Sequence, residues 1–214
     1  IIECMFCVFS ILPLVGAAQT DDGFKQYFHP NGKVASEGYL VDGKPEGHWK
    51  AYYDTGVLKS EGDRVRFLLD STWKFYGPDA KLMSTIQYQA DRKNGPLRKF
   101  AADGSLVSEE LYRDDIKNGD TKYFFPNGKL QKVIPFKEGI EEGKAIEYAE
   151  DGRIIGLATY RAGVLQRREE INRYDKAGLR QGPWKEFNAN GKPKWEGGFV
   201  DDKRAVRALP ILAE

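Results

Sequence analysis

Short runs of alternating apolar and polar residues recur along this chain at a fixed spacing. An aromatic residue is found every 24 residues from position 28 to position 148, and an aliphatic residue follows six positions after each ring. The rings are Phe28, Tyr52, Tyr76, Phe100, Phe124 and Tyr148, and the aliphatic residues are Val34, Leu58, Leu82, Leu106, Leu130 and Ile154. In most units an Asn-Gly or Asp-Gly dipeptide lies between the two. Such a dipeptide between apolar-alternating segments predicts a β-hairpin with a tight turn.

The period predicts an all-β protein of about seven hairpin repeats, each roughly 24 residues long. A further column of rings keeps the same spacing: Tyr88, Tyr112, Phe136 and Tyr160. Because a lone hairpin is marginally stable in water, we expect the hairpins to stack into one elongated, single-layer antiparallel sheet. We expect the first column of rings to form its buried core. No stretch of the sequence has the 3.6-residue periodicity of an amphipathic helix.

The repeats divide the chain into segments. Repeats one to six are predicted for residues 23–163, and repeat seven for residues 182–207, where Gly182 and Trp184 have the expected offsets. An additional 15 residues separate the two blocks, and we interpret residues 164–181 as an inserted hairpin or linker. Insertions in repeat arrays are common positions for binding function. Residues 208–214 are predicted to cap the last strand, because Pro210 cannot donate to a further strand.

The first 18 residues differ in character from the repeats. Residues 6–15 are apolar apart from Ser10, and the small residues Gly16, Ala17 and Ala18 follow. This pattern is typical of a secretory signal peptide, and its apolar run is too short to span a bilayer comfortably. We therefore expect cleavage near Ala18 and a mature chain that is secreted, periplasmic or in the cell envelope, with no integral membrane span.

Composition narrows the functional classes. The chain has 33 Lys and Arg against 32 Asp and Glu, a formal net charge of +1. This balance lacks the basic excess of most nucleic-acid binders, so no nucleic-acid partner is expected. Both cysteines, Cys4 and Cys7, lie in the predicted signal peptide. The mature chain is therefore predicted to have no disulfide, no zinc–thiolate site and no thiol nucleophile.

Few side chains in the repeats carry catalytic chemistry. His29 and His48 have no partner at metal-ligand spacing, and we interpret them as turn or surface residues. Adjacent carboxylates such as Glu109 and Glu110 are expected on opposite faces of a strand, which favours solvated charges over an acid–base pair. The glycines are at turn positions of the repeat and form no phosphate-binding motif. We predict no enzyme activity, no catalytic residue, no cofactor and no metal site.

Aromatic residues outside the regular columns are the candidates for a ligand or partner face. They are Phe24, Tyr27, Tyr53, Phe75, Tyr123, Phe125, Tyr174 and Trp195. Exposed rings can stack on sugars and on other side chains. The regular columns are interpreted as core, because a repeat needs them in order to stack.

Three segments carry the clearest repeat motif: residues 47–58, 119–130 and 182–192. They resemble the MORN-type repeat in its bacterial variant form, and the resemblance covers the chain from about Gly23 to Phe199. Repeat three departs from the pattern with Ser71 and Ala80 in place of glycine, and Trp is missing from repeats one, four, five and six. The same variant repeats make up proteins labelled YwqK-type antitoxins, so the resemblance implies that role too.

Three functions from different classes remain open. The first is a scaffold for protein–protein interaction in the cell envelope or outside the cell. The second is a carbohydrate or cell-wall glycan binder that uses exposed rings. The third is a YwqK-type antitoxin that neutralises a partner toxin. The expected signal peptide counts against the third, because an intracellular antitoxin does not need export.

Export is the first testable prediction. The protein isolated from its native host is expected to begin near Gln19 and to contain no cysteine, because the signal peptide has been removed. Intact-mass measurement checks this. A cytoplasmic chain that retains Cys4 and Cys7 would contradict the prediction.

Overall fold

The computed structural model describes residues 22–188 and 191–205, and the regular structure within them is β-strand throughout. The predicted signal peptide at residues 1–18 and the predicted cap at residues 208–214 lie outside the described residues. Consecutive strands are antiparallel neighbours along most of the chain. The prediction of an all-β sheet of stacked hairpins is confirmed.

The strand bounds reproduce the repeat. The first eight strands are β1 (Gly23–Phe28), β2 (Val34–Val41), β3 (Lys44–Tyr52), β4 (Leu58–Val65), β5 (Leu68–Tyr76), β6 (Leu82–Gln89), β7 (Arg92–Phe100) and β8 (Leu106–Arg113). They are followed by β9 (Ile116–Lys117), β10 (Gly119–Phe124), β11 (Leu130–Lys137), β12 (Ile140–Glu141), β13 (Gly143–Tyr148) and β14 (Ile154–Arg161). The last are β15 (Val164–Glu170), β16 (Arg173–Tyr174), β17 (Arg180–Phe187), β18 (Pro193–Val200) and β19 (Lys203–Arg204).

The strands form two sheets. The long sheet contains β1 to β15, with the short strands β9 and β12 pairing at its margin, and a four-stranded sheet contains β16 to β19. Among the described residues, every pair of strands in substantial contact is a pair of sheet neighbours. Most side chains on both faces of the long sheet are half-buried or exposed, as expected of a single layer.

Two kinds of turn alternate along the long sheet. The Asn-Gly and Asp-Gly sites lie in five-residue turns, in which the N–H of His29, for example, donates to the carbonyl of Lys33 at 2.8 Å. The other strand ends are joined by two-residue turns such as Asp114 and Asp115, with φ of 48° and 66°. The hairpin turn predicted at Asn-Gly is therefore present, and it is five residues long. A bulge beside each five-residue turn, as next to Phe28, accommodates the extra residue.

The pairing register assigns each side chain to one of two faces, because residues directly opposite each other in adjacent strands point to the same side. We call the side that carries Trp49 and Trp73 the indole face. The other side, which carries Lys50 and Lys74, is called the ladder face.

The most buried apolar residues of the long sheet lie on the indole face. They are Leu40, Trp49, Trp73, Leu97 and Ala145. The predicted core column of rings lies instead on the ladder face, where Phe28 is 58% exposed and the other five rings are only half-buried. The predicted core was wrong because, in a single layer, the neighbouring strands shield only the sides of a ring. The outer surface of the ring stays in contact with solvent.

Glycine explains how a single layer buries two indoles. A Cβ atom at Gly38 would lie 2.4 Å from the ring of Trp49, and one at Gly62 would lie 2.3 Å from the ring of Trp73. Each indole therefore lies flat against the backbone of the preceding hairpin. Each indole N–H also donates to a backbone carbonyl, at 3.1 Å for Trp49 and 3.0 Å for Trp73.

The contact between Gly62 and Trp73 gives a stability prediction. Gly62→Ala is expected to cost about 1–3 kcal/mol of unfolding free energy, the usual effect of overpacking. The next repeat carries Ile86 and Leu97 at the same two positions. Trp73→Leu should therefore relieve most of the penalty of Gly62→Ala in the double variant. Denaturant unfolding of both single variants and the double variant measures the coupling, and strictly additive effects would contradict the contact.

The long sheet ends inside the predicted insertion. The first part of residues 164–181 forms β15, which pairs with β14 along its length. Ile171 and Asn172 follow, both buried, and lead into β16 of the four-stranded sheet. The expected fresh hairpin, β17 with β18, begins after a turn at residues 175–179.

Asn172 replaces strand pairing at this break. Its side-chain amide donates to the carbonyls of Ile154 and Lys185, each at 2.9 Å, and accepts from the N–H of Lys185 at 2.8 Å. Its backbone N–H donates to the carbonyl of Pro183 at 2.9 Å. One buried side chain thus bonds to both sheets and satisfies backbone groups that a continuous strand would otherwise satisfy.

Asn172→Asp tests this role, because a carboxylate has nearly the same shape but cannot donate to the two carbonyls. Amides of residues 173–188 are expected to exchange with solvent about tenfold faster or more, while those of residues 34–89 keep their protection. Hydrogen-exchange mass spectrometry measures both segments. Asn188→Asp, in an exposed turn, is the matched control, and equal protection in the two variants would contradict the role.

Candidate functional site

An open groove of about 720 Å³ lies towards the C-terminal end of the long sheet. Its lining residues come from β10, β11, β13 and β14, from the five-residue turns beside them, and from β16. They are Tyr123, Phe125, Gln131, Lys132, Ile134, Glu147, Tyr148, Ala149, Glu150, Ile155 and Arg173. Most of the strand residues among them belong to the indole face.

Small residues replace the indoles in the hairpins that form the groove. The positions equivalent to Trp49 and Trp73 hold Thr121 in β10 and Ala145 in β13. The indole face therefore loses its largest side chains in repeats five and six. Thr121 is fully buried, and its hydroxyl has no hydrogen-bond partner among the described residues.

The groove combines aromatic, aliphatic and ionic side chains. Tyr123, Phe125 and Ile134 contribute apolar surface. Lys132 and Glu147 form an ion pair with 3.0 Å between their charged atoms, and both side chains are about one-third exposed. Such a pair contributes little stability but orients its charges for a ligand. The groove therefore suits an apolar group that is flanked by polar or charged atoms.

The ion pair of the groove lies on the indole face. Tyr148 adjoins the groove through β13, but its ring belongs to the ladder face, because it lies three residues after Ala145; burial raises the pKa of its phenol above the ordinary value. Glu147 lies 3.6 Å from Arg168 as well as beside Lys132. The carboxylate thus has two basic neighbours, and Arg173 adds another positive charge at the end of the groove nearest the four-stranded sheet.

Two of the eight candidate residues, Tyr123 and Phe125, are brought together in the groove. Tyr27 and Phe75 belong to the same row of the indole face as Tyr123 but lie nearer the N-terminus. Tyr27 is 50% exposed, whereas Phe75 packs against the buried indoles. Tyr53 begins a five-residue turn and is half-buried.

The remaining three candidates lie elsewhere. Phe24 is on the ladder face, where its ring contacts that of Tyr39 at 5.4 Å. Tyr174 and Trp195 belong to the four-stranded sheet. The ring of Tyr174 lies 5.2 Å from that of Trp184 and 4.4 Å from the guanidinium of Arg153, so it contacts both sheets.

The histidines lie at a turn and at the surface, as predicted, and the two acids point to opposite faces, but Glu110 is buried and not solvated as expected. His29 Nε2 lies 3.0 Å from a backbone carbonyl oxygen, and His48 is half-exposed with Nδ1 2.7 Å from a carboxylate oxygen of Asp63. Glu109 and Glu110 point to opposite faces, where they pair with Arg98 at 2.7 Å and Lys117 at 2.8 Å. Within residues 22–188 and 191–205, no three His, Cys, Asp or Glu side chains are grouped to hold a metal ion.

The sequence contains a partial signal for the groove. Small residues, Thr121 and Ala145, stand at the Trp position in repeats five and six, whereas repeats one and four have Lys25 and Leu97 there. The meaning of this difference depends on knowing that the Trp column is the buried one. The charged lining residues Lys132, Glu147 and Arg173 were not predicted, because charged residues occur at many strand positions of the repeat. None of the described residues forms a helix long and apolar enough to cross a membrane.

Comparison with known families identifies the repeat. The family model described as MORN repeat variant matches residues 24–42, 45–64, 117–138 and 180–200, each of which spans one hairpin of the fold. The chain therefore contains MORN repeat variants, as the resemblance implied. Repeats of this kind are commonly scaffolds that bind proteins or membranes and are typically not catalytic. No curated protein matches the chain.

Proposed function

We propose that this protein is a non-enzymatic scaffold that binds a partner protein through the groove and acts in the cell envelope or outside the cell. The observation that carries the proposal is the groove itself, an open concave surface on an otherwise regular sheet. A toxin is one partner of this class, as the resemblance to YwqK-type proteins implies.

The repeat gives a physical reason for a binding role. Thr121 and Ala145 bury far less apolar surface than the indoles at the same positions in repeats two and three, which weakens the stacking of the hairpins. A partner side chain inserted beside Tyr123 and Phe125 would restore apolar contact on this face. Binding and the stability of repeats five and six are therefore expected to be coupled.

A cell-wall glycan is the second candidate ligand. Tyr123 and Phe125 offer aromatic surface for stacking on a sugar, and Gln131 and Glu150 offer hydrogen-bonding groups beside them. The ion pair of Lys132 with Glu147 favours a protein partner, because it presents both charges to the groove. The location of the protein rests on the apolar segment at residues 6–15 and the small residues after it.

The test replaces groove residues by those of a neighbouring repeat. Repeat four has Lys99 and Ala101 where repeat five has Tyr123 and Phe125. The double variant Tyr123→Lys, Phe125→Ala is therefore expected to fold. In affinity capture from the native host, it should bind at least about tenfold less partner protein than the unaltered chain does. Quantitative mass spectrometry of the captured proteins measures the loss.

Tyr53→Ala is the matched control, because Tyr53 begins the same turn in repeat two but lies outside the groove. It should capture the partner as the unaltered chain does. Equal capture by all three proteins would overturn the assignment of the groove. If the groove variant alone fails to bind a purified cell-wall glycan, and its capture of proteins is unchanged, the result would favour the glycan candidate.

A further inference from the structure

A row of paired residues crosses the ladder face. Its members lie directly opposite one another in adjacent strands, so their side chains share one side of the sheet. In order they are Gln26, Glu37, Lys50, Glu61, Lys74, Thr85, Arg98, Glu109, Lys122, Val133, Ile146, Leu157 and Glu169. Acid and base alternate along most of the row. Opposite charges in this arrangement stabilise the sheet and help to fix its register.

The row continues into the four-stranded sheet. The ammonium nitrogen of Lys185 lies 2.6 Å from a carboxylate oxygen of Glu169 and 3.3 Å from one of Glu196. Lys185 and Glu196 are directly opposite each other in β17 and β18. The hydrogen bond from Lys185 lowers the pKa of the Glu169 carboxyl, so the alternation of charge persists across the break at neutral pH.

Three adjacent members of the row are apolar. Val133, Ile146 and Leu157, which we call the apolar strip, stand where earlier repeats carry ions such as Lys50 and Glu61. Four further apolar side chains adjoin the strip on the same face: Phe124, Leu130, Tyr148 and Ile154. All seven are only partly buried, so each keeps apolar surface in contact with solvent.

The charges on the two sides of the apolar strip are complementary. Outward from Ile146 in one direction the row reads Val133, Lys122, Glu109 and Arg98, and in the other direction it reads Leu157, Glu169, Lys185 and Glu196. At each step the two directions offer either two apolar side chains or one base and one acid. The row is therefore complementary to its own reverse.

We propose that two copies of this chain form a dimer by packing their ladder faces together, with the two-fold axis along β13 at Ile146. This operation lays the row of one copy over the reversed row of the other. Ile146 then meets Ile146 of the second copy, Val133 meets Leu157, and Lys122 meets Glu169. A two-fold contact must be self-complementary. This row satisfies that condition, because apolar side chains meet apolar side chains and acids meet bases.

The overlap has the dimensions of a stable interface. It extends from Arg98 in β7 to Glu196 in β18, nine strands of the row, which at the usual strand spacing is roughly 40 Å. Strands of about six residues are roughly 20 Å long, so about 800 Å² of each copy is covered, the size of a standard specific interface. Packed sheets cross at about 30° because of their twist, which places the apolar strip in closest contact and the ions at the rim.

Two residues along from the row, the charged pairs that the axis creates are opposite in sign except at Lys144. Asp120 and Arg167 lie two residues along from Lys122 and Glu169 on the same face, and the axis brings each towards the other in the second copy. Lys144 meets its own counterpart near the axis. Its side chain is exposed, and its length allows the ammonium group to turn outward into solvent. Four residues along from the row, at the margin of the overlap, the exposed side chains of Lys137 and Arg161 approach each other and can turn outward into solvent.

The test is the oligomeric state of the full chain by sedimentation velocity. The unaltered protein is expected to dimerise in a concentration-dependent way in the micromolar range. The double variant Ile146→Lys, Leu157→Glu gives repeat six the base and acid that Lys50 and Glu61 place opposite each other in repeat two, so it should fold. It should raise the concentration of half-dimerisation at least about a hundredfold, because it places charges at the centre of the interface.

Thr85→Glu is the matched control. It also adds an ion to the row, at a position equivalent to Glu61, but lies beyond the overlap, and it should leave the dimer intact. Lys122→Glu keeps the apolar strip and places two acids opposite each other, so it should weaken the dimer about tenfold and serves if the double variant fails to fold.

Circular dichroism and thermal unfolding establish that each variant is folded. A monomeric wild-type chain at about 100 μM would overturn the proposal, as would a dimer that survives both the strip variant and Lys122→Glu. Dissociation by Thr85→Glu would place the interface elsewhere and overturn it too. Because the groove lies on the indole face, partner capture by the monomeric strip variant is expected to persist, which separates this proposal from the proposed function.

Discussion

The structure depends on one constraint: a single-layer sheet must bury its side chains against its own strands. In the first repeats Trp49 and Trp73 meet it by lying on the glycine backbone of the preceding hairpin, which provides burial without a second layer. Where no such contact exists, side chains stay half-exposed, as Phe28 and its equivalents do. Where apolar side chains of such a sheet are not buried against its own strands, they are available to bind a partner.

The two faces meet the constraint differently, and both change character in repeats five and six. On the indole face small residues such as Thr121 and Ala145 replace the indoles, and the groove lies in the same hairpins. On the ladder face the alternating ions give way to Val133, Ile146 and Leu157. Both departures from the repeat lie in the same hairpins, on opposite sides of one sheet, so one partner on each face is sterically compatible with the other.

The break between the sheets shows how a repeat array tolerates an irregular segment. Ile171 and Asn172, between β15 and β16, are not part of a strand, but the amide of Asn172 satisfies both the N–H and the carbonyl of Lys185. The side chain of Lys185 meanwhile links Glu169 to Glu196. Backbone hydrogen bonding and the alternation of charge therefore both continue across the break, although strand pairing between the two sheets is interrupted there.

The sequence by itself determined the all-β class, the hairpin period and the approximate bounds of the repeats, because these follow from local alternation and from turn glycines such as Gly32. It also placed Tyr123 and Phe125 among the candidate residues. Only the tertiary structure decided which column is buried, since that depends on whether a ring meets the backbone of a neighbouring hairpin, as Trp73 meets Gly62. The groove and the charge row were likewise decided by register, which brings together residues from separate strands and repeats and is not visible in any single stretch of sequence.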